Sequence, residues 1–388
     1  MAESGISGAF HDDDKGNNAG AAYLFRQVGL DPWSQVAKLI ASDGAPNNWF
    51  GSDVGINGNA AIIGAPGDDD RGMFSGSAYI FSNDGSGIWS QTVKLTANNG
   101  VENDYFGSSV AIDGDTAVVG ALNHDGRAFD SGSAYLFRKD NLGVWRRIAE
   151  LRASDAAQYD NFGRDVAISG DMVLIGATGA GAAYLFRDYG TAGWSPVAKL
   201  SASDAAEGDS FGYSVAVSGN TAVVGAFGDD DHGADSGSAY IFRDNGTGTW
   251  SQIAKLTASD GTTADAFGWS VAIDGNRVVI GTFFDDGLGS NSGAAYVFYE
   301  DASGVWRQFA KLTASDAQRE DWFGYSVAIS NTTALVGSRL DDRAGSNVGS
   351  AYLFNVVPEP NAVLLVGLTT LGLAGCRLRN PGTAKAPG

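Results

Sequence analysis

The chemistry available to this 388-residue chain lies in its carboxylates, and they recur in register. Asp12-Asp13-Asp14, Asp68-Asp69-Asp70, Asp125, Asp229-Asp230-Asp231, Asp285-Asp286 and Asp341-Asp342 stand at matching offsets after a Gly-Ala pair or its variants. A second series, Asp104, Asp160, Asp209, Asp265 and Asp321, stands two residues before a phenylalanine, with Asn48 in the remaining copy. Hard carboxylate oxygens converging from two loops suit Ca²⁺, which takes six to eight oxygens and tolerates irregular geometry. Consecutive like charges also repel unless a cation or water screens them. The doublets and triplets of the first series are therefore the candidate calcium ligands. The competing reading is conformational, because Asp, Asn, Gly and Ser build turns and solvate the surface of a large β protein.

Other chemistries are poorly provided for. His11, His124 and His232 fall in three different acidic loops, away from any nucleophile. Gly208-Asp209-Ser210-Phe211-Gly212 fits the G-x-S-x-G pattern, yet Ser210 fills the slot held by Trp49, Tyr105, Asn161, Ala266 and Trp322 in other copies, without the strand-turn-helix setting that a nucleophile elbow needs. No zinc-protease, phosphate-loop or nucleophilic-cysteine pattern occurs. The abundance of paired acids leaves a polysaccharide hydrolase or lyase as the enzymatic alternative. A net charge of −20 makes nucleic acid and anionic membranes poor partners. Cys376 is the sole cysteine, so no internal disulfide is available.

The elements that carry these loops repeat. Ala-Tyr-x-Phe places its tyrosine at Tyr23, Tyr79, Tyr135, Tyr184, Tyr240, Tyr296 and Tyr352, at intervals of 56 residues except for 49 between Tyr135 and Tyr184. Phe-Gly at Phe50, Phe106, Phe162, Phe211, Phe267 and Phe323, and tryptophan at Trp33, Trp89, Trp145, Trp194, Trp250 and Trp306, keep the same spacing. Three landmarks on one period mark a repeat architecture. Within a unit, "YSVAVSG", "TAVVGAF", "GSAYIFR" and "WSQIAKL" read as four short strands, a to d, separated by turn residues. Seven such units predict an all-β, seven-bladed β-propeller of four-stranded antiparallel blades. The b-to-c and d-to-a connections then emerge on one face, which is acidic.

The chain resembles the FG-GAP repeats of integrin-α-like propellers: Phe50-Gly51 followed by Gly64-Ala65-Pro66 spells the motif. In later units the second half of the motif drifts, as in Gly225-Ala226-Phe227, Gly281-Thr282-Phe283 and Gly337-Ser338-Arg339. The resemblance is specific for the propeller fold and says much less about activity, since propellers host many unrelated functions. The family's Asp-x-Asp-x-Asp-Gly calcium loop between strands a and b is missing, since that connection is only "DGD", "SGN" or "DGN" here.

Residues 1–355 are assigned to the propeller and 356–388 to a tail. Pro358-Glu359-Pro360, an apolar segment over 362–374 expected to be helical, and then Arg377 and Arg379 resemble the PEP-CTERM sorting signal of Gram-negative bacteria, which implies export and an exosortase as processing partner. The first blade lacks a strand a and the last a strand d, so both are expected to be incomplete, with the missing strands and a signal peptide lying upstream of Met1. The expected function is a non-catalytic propeller on the cell surface that binds a surface protein, a polysaccharide or a matrix component, with calcium as its one candidate cofactor. A structural surface-layer component is the third alternative.

Overall fold

A computed structural model of the protein describes residues 2–29, 31–341 and 349–357, together with the backbone of 368–371 and 376–378. It holds seven four-stranded antiparallel sheets, each in the order a-b-c-d. Blade two is typical, with a at Val54–Asn57, b at Ala60–Ala65, c at Ser77–Asn83 and d at Trp89–Leu95. Blade five has a at Val215–Ser218, b at Thr221–Ala226, c at Ser238–Asp244 and d at Trp250–Leu256. Strand b of blade five is buried along its whole length, whereas strand d alternates toward solvent at the rim. The β-branched residues of b suit a position covered on both faces.

The core lies between blades rather than within them. Each large apolar cluster joins two neighbours, as where Ile6, Leu24 and Leu39 of blade one meet Phe50, Ile63 and Phe81 of blade two. The Phe of each Phe-Gly pair is fully buried in this seam, Phe106 lying edge-on to Tyr135 at 5.4 Å and Phe137 at 6.1 Å. Such edge-to-face pairs are the favoured aromatic geometry.

The glycines on either side explain the motif. A Cβ on Gly225 of strand b in blade five would lie 2.0 Å from the carbonyl oxygen of Gly268, the Phe-Gly glycine of blade six. Gly64 and Gly107, and Gly176 and Gly212, stand in the same relation. Neighbouring backbones therefore touch where the two halves of the motif meet. Gly268 also holds φ at +91°, open to glycine and costly for other residues.

Two expectations require correction. The described part of the segment expected to be helical, Leu368–Leu371, is a strand, and it pairs with strand c of blade seven, Ser350–Asn355. Glycines at 367, 372 and 375 and the β-branched pair Thr369-Thr370 disfavour a helix there. Nor are the first and last blades short of a strand: Cys376–Leu378 pairs with Ala2–Ala9 as strand a of blade one, while Leu368–Leu371 is strand d of blade seven. Open strand edges are rows of unmet donors and acceptors, and these two segments satisfy them. Among the described residues no helix is long and apolar enough to cross a membrane.

Removing the seam aromatic by Phe211→Ala should cost about 3–5 kcal/mol. Gly225→Ala adds one methyl group against rigid backbone and should cost about 1–3 kcal/mol or more. Urea denaturation checks both, and an unchanged midpoint for Gly225→Ala would mean that the glycine contact does not set blade spacing.

Candidate functional site

The acidic face is organised blade by blade around a lysine of strand d. Lys255 Nζ lies 2.8 Å from Asp204, 2.9 Å from Asp229 and 2.5 Å from Asp231. Lys94 repeats this with Asp43 at 2.7 Å, Asp68 at 3.0 Å and Asp70 at 2.6 Å. Lys38 holds Asp12 and Asp14, Lys311 holds Asp260 and Asp285, and Lys199 holds Asp155. The repeated tyrosine donates its hydroxyl to the same groups, as from Tyr240 to Asp229 at 2.7 Å and from Tyr79 to both Asp43 and Asp68.

Each aspartate of a triplet has its own part. The first, buried in Asp68 and Asp229 and half-buried in Asp12, accepts at Oδ1 the N–H two residues on, as Asp229 does from Asp231. The second accepts the N–H five residues on, as Asp69 does from Phe74 and Asp230 from Asp235. The two donors, Phe74 and Asp235, are left-handed, with φ of +55° and +53°, which costs energy for residues other than glycine. The third pairs with the lysine. Folded in this way, the b-to-c loop hydrogen-bonds the start of the next blade, with Phe267 N–H donating to Ser236 O at 3.0 Å.

Burial opposes ionisation of Asp43, Asp204, Asp229 and Asp260, but the ammonium and the tyrosine hydroxyl outweigh it and hold these carboxyls below the ordinary range. Burial likewise works against the charge of Lys94 and Lys255, and the surrounding carboxylates push both well above the usual lysine value. Asp43, Asp68 and Asp70, and Asp204, Asp229 and Asp231, each bring oxygens within 4.8 Å of one another. A calcium ion would want these oxygens at about 2.3–2.6 Å. The lysine ammonium stands where that ion would sit, so the donor sets do not fit calcium while the lysine is in place.

The centre of the same face is chemically different. The strands a enclose a channel cavity of about 390 Å³ that runs from Asp53, Asp165, Ser214, Ser270 and Tyr325 toward the a-to-b turns at Asn57, Asp113, Ser169 and Asp274 on the opposite face. Its acids are engaged in clasping blades: Asp53 accepts the N–H of Val110, and Asp165 accepts Ser109 Oγ and the N–H of Val215. Around the mouth, the residues following Phe-Gly and following Gly-Ala form an aromatic arc over blades five to seven. Tyr213 packs on Trp269 at 4.5 Å, Trp269 on Phe283 at 4.5 Å and on Tyr325 at 5.7 Å, and Tyr213 on Phe227 at 4.7 Å. Arg164 lies 4.1 Å over Tyr213 at one end, and Arg339 lies 4.8 Å over Tyr325 at the other. Burial pushes the Tyr213 hydroxyl up to about 12.

Models of the FG-GAP repeat match residues 33–81, 89–137, 145–186, 194–242, 250–298 and 306–354. The chain belongs to the FG-GAP repeat family. Each match begins at strand d of one blade and ends in strand c of the next, so the family's unit spans the seam. No curated protein sequence matches the chain. Among solved structures, a Lactobacillus plantarum protein is 13% identical with a TM-score of 0.62, over 97% of this chain and 99% of that one. The Pseudomonas aeruginosa periplasmic gluconolactonase is 14% identical with a TM-score of 0.61, over 98% and 99%. A functionally unknown protein from Desulfotomaculum acetoxidans is 13% identical with a TM-score of 0.60, over 98% and 100%. At these identities the likeness is one of fold.

In this FG-GAP chain, Asp12 to Asp14, Asp68 to Asp70, Asp229 to Asp231, Asp285, Asp286 and Asp341 occupy the b-to-c loops as expected, while Asp342 lies outside the described residues. The d-to-a series is structural in the geometry seen: Asp104, Asp160, Asp209, Asp265 and Asp321 each accept the N–H three residues back. Pro358, Glu359, Pro360 and Arg379 lie outside the described residues, and only the backbone of Arg377 is described. The lysines and the Ala-Ser-Asp aspartates Asp43, Asp155, Asp204 and Asp260 were not anticipated, although their period in the sequence equals that of the tyrosine. The aromatic arc was also missed. Its signal was the drift of the residue after Gly-Ala toward Phe227, Phe283 and Arg339.

The carboxyls, lowered by folding, contribute stability above their unfolded pKa of about 4 and lose it as pH falls; the lysines, raised by folding, contribute it below about 10.4 and lose it at higher pH. Lys255→Met should cost about 2 kcal/mol at pH 7, less than for a fully buried pair because Asp204 and Asp231 are half-exposed. That cost should already be smaller at pH 3, below the unfolded pKa of the carboxyls, and should keep shrinking as pH falls through their lowered folded values. Thermal unfolding at both pH values checks this, and an equal cost at both would assign the effect to packing of the lysine stem.

Proposed function

We propose that the protein is a non-catalytic binding propeller, exported and displayed at the cell surface, whose ligand seats at the channel mouth on the acidic face. The observation that carries this reading is the aromatic arc between Arg164 and Arg339. Binding sites are characteristically concave and aromatic-lined with a few placed polar groups. The channel carboxylates nearby are committed to backbone N–H groups of neighbouring blades, which favours binding over acid–base chemistry. Export rests on Pro358-Glu359-Pro360 with its apolar and basic sequel, and an exosortase-type enzyme is the processing partner that this order of residues implies.

The test is a screen of immobilised protein against surface proteins, matrix components and polysaccharides, with and without calcium, in parallel with assays for product release from polysaccharides and lactones. Capture of a ligand without turnover, abolished by the double change Tyr213→Ala and Trp269→Ala, is the expected result. Turnover of a saccharide or lactone, or capture indifferent to that double change, would overturn the reading.

A further inference from the structure

Resting on the reading of the mouth as the binding site, the geometry points to a uronate-bearing oligosaccharide as its ligand, with the sugar rings on the Tyr213–Trp269–Tyr325 arc and the carboxylates received by Arg164 and Arg339. Three observations converge on that class. Trp269, Tyr213 and Tyr325 are partly exposed rings in a continuous row, the kind of surface on which the C–H face of a pyranose packs. The rim also carries buried polar atoms with no hydrogen-bond partner among the described residues: Ser108 Oγ, Thr178 Oγ1 and Arg339 Nε. Covered as they are, these atoms meet a hydroxyl-rich ligand only where the Ser108 and Thr178 side chains turn outward as it seats, and a purely apolar ligand would leave them unmet.

The third observation is charge. In a chain with 45 acidic and 25 basic residues, neither Arg164 nor Arg339 forms an ion pair with a carboxylate among the described residues. Each instead lies against an aromatic ring, Arg339 donating from Nη1 to the Tyr325 hydroxyl at 2.7 Å. A guanidinium lying over a ring still has donors to offer a carboxylate, the partner that its forked geometry fits best. The net negative charge does not veto an acidic ligand. At physiological ionic strength the screening length is about 8 Å, so contacts at the mouth outweigh the more distant carboxylates, many of which are already held by lysines.

The experiment is calorimetric titration of the full chain with a tetrasaccharide of uronic acid residues, its carboxyl-reduced neutral counterpart, and a sulfated oligosaccharide of equal length. The wild type should bind the uronate at least about tenfold more tightly than the reduced sugar, the scale of a charge-assisted hydrogen bond. Arg164→Gln should remove most of that preference, and Trp269→Ala should abolish binding of both, with melting curves confirming that each variant is folded. Equal affinity for the reduced sugar, or tighter binding of the sulfated one, would overturn the uronate assignment while leaving the mouth as the site. Failure of all three sugars, with some other ligand captured in a Trp269-dependent manner, would also overturn it. Uronate binding unaffected by Trp269→Ala would sink the reading of the mouth itself.

Discussion

Everything in this propeller is arranged around a backbone contact between glycines of neighbouring blades. Where Gly268 of blade six meets Gly225 of blade five, and at the equivalent seams, there is no room for a single methyl group. Blades held this close leave a wedge farther out along the seam, which the buried phenylalanine and the tyrosine and phenylalanine of strand c fill. The family motif thus records one physical requirement from its two sides. Positions next to it face the channel mouth instead of the seam, and they are free to vary.

The same seam accounts for the aspartates. A loop that must leave strand b, reach the next blade and return into strand c needs left-handed residues, and the second aspartate of each triplet holds one of them. The charge gathered in doing so is partly offset by the lysine of strand d, one ammonium against two or three carboxylates. Blade three shows that this offset, not residue identity, is what is kept. Glu150 stands at the lysine position, His124 at the first aspartate and Asn99 at the Ala-Ser-Asp position, while Arg147 and Arg152 supply the cations beside Glu150. Blade four has lost the acidic segment of its loop and keeps the Lys199–Asp155 pair. A surface that reads as strongly acidic thus carries, at close range, a cation set among its carboxylates in blade after blade.

The fold was legible because its three landmarks, the Phe-Gly pair, the tyrosine and the tryptophan, share one period, and a period survives any uncertainty in the ends of individual strands. The face carrying the acids was legible for the same reason, since alternating strands decide it. The lysines were not read as part of the site because "KL" at the end of a strand looks like ordinary edge polarity, and only three-dimensional pairing joins Lys255 to Asp204 and Asp229. The mouth was hidden for a different cause: Tyr213, Trp269 and Tyr325 are 56 residues apart, and their significance lies in departing from the small Ser52 and Ser108 of earlier blades. The tail misled because a mixed apolar, glycine-rich segment carries no period that separates helix from strand.

The central claim is that a lysine of strand d stands among the carboxylates of the acidic face, in the position that a metal ion would need. A crystal structure grown at neutral pH in millimolar calcium tests this directly. The account predicts Lys94 and Lys255 with Nζ within hydrogen-bond distance of their three carboxylates and no ion among them. Calcium bound by Asp43, Asp68 and Asp70, with Lys94 swung out to solvent, would contradict it.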